Sequence, residues 1–182
     1  GLPGEGDIVL ADLFGAAPGE LWLEIGFGGG EHLAAQATEH EGVDFIGAEP
    51  FVEGVAKLLA EVQSRSLGNV RIHAGDVREV LSRLPQSSID RVFILFPDPW
   101  PKARHRKRRL VQPEFLDDLA RHLKPGARIR FATDIADYAD HALADFLDDG
   151  RHCSNAEQAQ TWRTPPEEHL PTRYEQKRLG EC

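Results

Sequence analysis

At 182 residues, 41% of them hydrophobic, the chain carries enough apolar material for one substantial core and too little length for two of ordinary size. A net charge of −9 excludes a protein that coats nucleic acid with its whole surface, and two cysteines, Cys153 and Cys182, without CxxC spacing exclude a disulfide framework and a zinc pattern. A reducing cytoplasm is therefore the expected compartment, with no metal, and no apolar run approaches the about 18 residues a bilayer-spanning helix needs, so no membrane partner is expected.

The chain begins at Gly1 and has no methionine, so a processed or trimmed amino terminus is expected. Residues 21–25 (LWLEI) read as a short buried strand stopping at Gly26, and 31–40 as a helix. A second strand is expected at 43–48, and the spacing of Val52, Val55, Leu58, Leu59 and Val62 predicts a helix. A third strand at 70–73 precedes a short helix over 77–84 that Pro85 ends. Residues 89–96 (IDRVFILF) form the most apolar run and are expected at the centre of the sheet, since parallel strands covered on both faces read as continuous hydrophobic stretches. A helix over 113–123, closed by KPG, a strand over 128–133 and a helix over 135–147 follow; HCSNA (152–156) suggests another strand, and the proline-rich tail no regular element. Alternating units of this length predict an α/β, Rossmann-like, mostly parallel sheet with helices on both faces. We expect one domain over 1–182, with a short amino-terminal remnant in 1–20 and a substrate-binding tail in 156–182.

In such folds ligands bind beyond the carboxyl ends of the strands, where the unusual residues of this chain fall. In LEIGFGGGEHL, Gly26, Gly28 and Gly30 stand between strand and helix, as a tight turn approached closely by a ligand requires. Counted from Gly26, a dinucleotide loop needs its third glycine where Glu31 stands, and that acid would face a diphosphate. A carboxylate at Glu24, two residues before Gly26, instead suits a ligand carrying an ammonium group, such as the methionine end of S-adenosylmethionine (SAM). Glu49, about 20 residues beyond the loop, is placed to accept from ribose hydroxyls. Asp76 could accept from an adenine amino group or simply cap the following helix.

The fourth strand runs into FPDPWPKARHRKRRL (96–110). Pro97 and Pro99 restrain the backbone on both sides of Asp98, and Trp100 offers a flat face for a base. Lys102, Arg104, Arg106, Lys107, Arg108 and Arg109 add +6 with no acid among them, leaving −15 on the rest, the difference between −9 and +6. Arginine grips phosphate in a bidentate fork, so a basic collar beside a stacking pocket is what a site that modifies nucleic acid requires.

LEIGFGGGEHL, FPDPWPKARHRKRRL, ATD and PTRYEQK together make the chain similar to the bacterial tRNA (guanine-N7)-methyltransferase family, from about Leu21 onward. The resemblance implies a class I SAM-dependent methyltransferase that modifies guanine 46 in the variable loop of tRNA. It implies cofactor binding by Glu24, Glu49, Asp76 and Asp98, the last also the catalytic candidate, and substrate contact by Lys102, Asp134, Thr172, Arg173, Tyr174 and Glu175. Arg104, Arg106, Lys107, Arg108 and Arg109 match the segment assigned to RNA contact. Two departures stand out: Pro50 follows Glu49, and little of the family's usual basic amino-terminal arm precedes the first strand. The competing readings are an adenine-N6 methyltransferase, whose strand-four motif PDPWP fits poorly, and a non-catalytic RNA-binding module with a relic cofactor fold; a nicotinamide oxidoreductase is disfavoured by Glu31. Oligomeric state is open.

Overall fold

The computed structural model describes residues 1–15, 19–148, 150–151, 169 and 171–176. Their contacts divide into two compact units: residues 1–95 with 121–131, and 96–120 with 132–182.

The first unit holds the sheet. Its elements run α1 (Leu10–Phe14), β1 (Glu20–Ile25), α2 (Glu31–Glu39), β2 (Val43–Ala48), α3 (Val52–Ser64), β3 (Val70–His73), α4 (Val77–Leu81) and β4 (Ile89–Leu95), and β5 (Leu123–Ala132) returns to complete it. Strand order is β3-β2-β1-β4-β5; β1 pairs in parallel with both β2 and β4, and β2 with β3. The order reverses direction at β1 and β4, so the crevice of this doubly wound sheet opens at their carboxyl ends.

Alternation along the strands explains the core. Trp22, Phe45, Val70, Ile72 and Phe93 face α2 and α3, packing on Leu33, Ala34, Ala37, Val55 and Leu58. The intervening Leu21, Leu23, Ile25, Ile46, Val92 and Ile94 are buried as well, so both faces are covered. Glu24, two residues on from Trp22, thereby points to the α2 side. The amino-terminal segment is stapled down: Arg83 donates to the carbonyls of Pro3 and Gly6, and Arg71 to that of Leu13.

The strands expected at 43–48 and 70–73 have those bounds, whereas β5 begins at Leu123, five residues before the expected start, and includes the KPG expected to close the preceding helix. Among the described strands β5 lies at the edge of the sheet, a position that tolerates Pro125, and Gly126 takes a left-handed φ of 81°. The possible strand over 152–156 lies outside the described residues.

The second unit contains a 3-10 helix over Ala103–Arg108, the greater part of α5 (Pro113–His122), α6 (Ala136–Asp148) and a short α7 (Arg173–Gln176). Val111, Phe115, Leu116, Leu119, Tyr138 and Ala142 are buried hydrophobic residues among its described residues, and the amide of Val111 donates to the Tyr138 hydroxyl.

Candidate active site

The glycine loop after β1 is built by backbone conformation. Gly26, Gly28 and Gly30 adopt φ of 69°, 55° and 79°, the left-handed region that a Cβ disfavours. An added Cβ would meet nothing within 4 Å at Gly26 or Gly28, so the loop presents bare backbone to open space. At Gly30 it would sit 2.6 Å from Leu58 Cβ, so that glycine is required by packing too.

Two buried carboxylates border the loop. Glu49 is 3% exposed; its Oε2 accepts from the Gly28 amide at 2.8 Å and its Oε1 from the Phe51 amide at 2.9 Å. Each oxygen keeps a further lone pair for a hydroxyl donor. Pro50, the departure noted in the sequence, stands between these contacts without disturbing them. Glu24 is 4% exposed and its Oε2 lies 2.7 Å from His32 Nδ1. The His32 ring packs edge-on against Phe93, and its Nε2 is buried with no partner among the described residues. With a proton on Nδ1 the ring donates to the carboxylate. Among the described residues His32 is the only basic side chain paired with Glu24. Asp76 is exposed and caps α4, accepting from the Arg78 amide at 2.8 Å and pairing with the Arg78 guanidinium at 3.0 Å, so the capping alternative is realised.

Acids bordering open glycine backbone fit a ligand with an ammonium group and ribose hydroxyls and do not fit a diphosphate, which such carboxylates would repel. Residues missed at the sequence level join them. Phe51, 70% exposed, stands two residues beyond Glu49, and His32 fixes Glu24. Among the described residues no cluster of His, Cys, Asp or Glu is arranged to hold a metal ion, and no helix is long and apolar enough to cross a membrane.

In the second unit, Asp98 is exposed and bracketed by two strained aromatic residues, Phe96 at φ 51° and Trp100 at φ 42°. The Trp100 ring, expected as a stacking face, carries the Arg108 guanidinium 5.0 Å from its centroid. Lys102, Arg104, Arg106, Lys107 and Arg108 are exposed, Arg106 pairing with Asp137 at 2.8 Å. Arg109 departs from the expectation of RNA contact: it is 1% exposed, and its guanidinium is spent on the Pro99 carbonyl and on Asp137, because a buried charge must be paired within the fold. The Arg109 hydrogen bond, aided by the charges of Arg106 and Arg109, holds the Asp137 carboxyl below the usual range.

The tail residues satisfy one another. Thr172 Oγ1 accepts from the Glu175 amide at 3.3 Å while Glu175 Oε2 accepts from the Thr172 amide at 2.7 Å, the reciprocal capping box of α7. Glu175 Oε1 lies 2.7 Å from His169 Nε2. Tyr174 donates to Asp134 at 2.8 Å and stacks on Phe96, ring centroids 4.8 Å apart. These contacts make two groups joined through α7, Thr172 and Glu175 with His169 in one and Asp134 and Tyr174 with Phe96 in the other, and neither Phe96 nor His169 was anticipated. The Arg173 side chain lies outside the described residues.

Comparison with known proteins bears on this arrangement. A family model described as "Putative methyltransferase" matches residues 18–180. Among solved structures, precorrin-6y C5,15-methyltransferase from Geobacter metallireducens aligns with a TM-score of 0.59 at 18% identity, covering 76% of this chain and 66% of that one, a likeness of fold. The tRNA (guanine-N(7)-)-methyltransferase of Hyphomonas neptunium is 51% identical over 181 residues, 98% of this chain and 81% of the relative. That of Caulobacter sp. strain K31 is 58% identical over 164 residues, 90% of this chain and 72% of the relative. Identity of this extent over most of the chain shows that the chain belongs to the tRNA (guanine-N(7)-)-methyltransferase family.

Proposed function

We propose that this protein transfers the methyl group of SAM to N7 of a guanine in tRNA, the guanine at position 46 of the variable loop, in the bacterial cytoplasm. The observation that carries the reading is the glycine cradle: open left-handed backbone at Gly26 and Gly28, with Glu49 bonded to the Gly28 amide and buried Glu24 held by the His32 ring. When bound, SAM supplies an electrophilic methyl group. Glu24 accepts from its ammonium, Glu49 from its ribose hydroxyls, Phe51 offers an apolar surface and Asp76 an acceptor for adenine.

Guanine N7 carries a free lone pair and no proton, so no general base is needed. The protein's work is alignment, which can supply about 7–11 kcal/mol of a barrier. Asp134 and Glu175 accept from N1–H and N2–H of the base, Phe96 and Tyr174 confine the ring plane, and Asp98 offsets the positive charge that the purine acquires. Lys102, Arg104, Arg106, Lys107 and Arg108 hold phosphates. Arg173 belongs with the substrate-contacting tail.

Incubation with unmodified tRNA and labelled SAM, followed by mass-spectrometric mapping, tests this reading. The expected product is a single N7-methylguanine in the variable loop. N6-methyladenine would establish the adenine-modifying alternative, and neither methyl incorporation nor stabilisation by SAM would leave an RNA-binding module.

A further inference from the structure

Arg109 stands at the end of a run of exposed cations and is the one among them that is buried, its side chain 0% exposed. Its Nε donates to the Pro99 carbonyl at 2.8 Å, its Nη2 to Asp137 Oδ2 at 2.5 Å and its Nη1 to the Asp137 carbonyl at 3.4 Å, while the Tyr138 ring lies 4.7 Å beneath it. No donor of this kind reaches outward to phosphate. The guanidinium instead closes a loop from residue 99 to residue 109 onto the first turn of α6.

The bonded carbonyl matters because of what surrounds it. Pro97 and Pro99 have no N–H, so the backbone around Asp98 has few polar groups by which it can be tied. The peptide that follows Pro99 leads directly into Trp100, whose left-handed backbone persists only where its surroundings over-determine it. We infer that Arg109 is a positioning residue for Asp98: it clamps the Pro99 carbonyl against α6 and so fixes the direction in which the Asp98 carboxylate points. The assignment rests on the proposed role of Asp98 in methyl transfer. Lysine cannot reproduce it, since one ammonium cannot span the carbonyl and the carboxylate in a planar fork.

The test uses Arg109→Lys in the full chain, with two readouts. In methyl transfer to unmodified tRNA, kcat per SAM-binding molecule falls about 10- to 100-fold while KM for tRNA and the salt slope of binding stay at wild-type values. In amide exchange, the peptide covering residues 96–102 exchanges at least about tenfold faster, with β1 and α2 unchanged. A salt slope reduced by about one with kcat retained would make Arg109 a phosphate ligand and overturn the clamp. Should Arg109→Lys not fold, Asp137→Asn, which removes the guanidinium's carboxylate anchor, is expected to lower kcat and speed the same exchange to a smaller degree; wild-type values in both would overturn the clamp. Combining Arg109→Lys with Asp98→Asn separates the two assignments. A double variant no slower than the slower single one supports action through Asp98, and fully additive losses overturn it. A wild-type protein that methylates no tRNA would sink the proposed function but not the clamp, which the exchange measurement still decides either way.

Discussion

Replacing Gly54 with alanine sets two physical effects against each other. Gly54 is the third residue of α3, and helical propensity alone favours alanine there by about 1 kcal/mol. The surroundings oppose it: a Cβ at this position would lie 2.1 Å from the Gly28 carbonyl oxygen, against 3.4 Å or more for ordinary contact. The two backbones must therefore separate by about 1.3 Å, the difference between those distances, since a carbonyl cannot swing away as a flexible side chain can. Overpacking of this kind costs about 1–3 kcal/mol, so the net expectation is loss of stability despite the better helix former. The displaced residue is Gly28, whose amide holds Glu49 at 2.8 Å, so SAM affinity should fall as well, by about tenfold or more. Thermal denaturation and titration calorimetry with SAM measure the two effects. A Gly54→Ala protein more stable than wild type, with SAM affinity within twofold, would refute the steric argument.

Neutralising Arg104, Lys107 and Arg108 together should weaken tRNA binding and flatten its dependence on log salt by about 0.7–0.9 per lost phosphate contact, leaving SAM affinity intact; an unchanged slope would make the segment a solvated surface. Thr172→Ala removes half of the capping box of α7 and should cost about 1 kcal/mol in docking the tail, seen as a higher KM for tRNA with SAM affinity unchanged. Asp137 has a depressed carboxyl, so its contribution to stability is present above the ordinary value of about 3.9 and is lost as pH falls through its lower folded value; Asp137→Asn should flatten acid unfolding in that window. Asp145 behaves oppositely, because burial raises its carboxyl and only then does the charge of His141 lower it. Its cost to stability grows as pH rises through the ordinary carboxylate value, so Asp145→Asn should raise the melting temperature at pH 7 more than at pH 3.

The parallel strands were legible because burial on both faces leaves continuous apolar runs such as VDFIGA and IDRVFIL, while the glycines mark the turn after β1. Three short helices were not: α1, the 3-10 helix at Ala103–Arg108 and α7 span four to six residues, too few to repeat a period, whereas α4, as short, was marked by Asp76 before it and Pro85 after it. Arg109 shows a second limit. Charge and spacing in the basic run are uniform, and which cation turns inward depends on Asp137, 28 residues away. A signal did exist, since Arg106 and Arg109 are three residues apart at a 3-10 helix, where such residues eclipse, and both meet Asp137. His32 was hidden for the same reason as Arg109: its partner Glu24 is brought to it by the fold of helix onto strand.

The way Glu49 is held has a consequence for turnover. Both its oxygens are pinned by backbone amides, and under the proposed function it grips the ribose, a part that the methyl donor and the demethylated product share. The same holds for Glu24 and the amino-acid end. An anchor of this kind binds spent and fresh donor alike, which lowers the donor concentration needed without speeding the chemical step. Product inhibition is then a direct outcome of the architecture, and emptying the cradle becomes a candidate for the slowest step of the cycle.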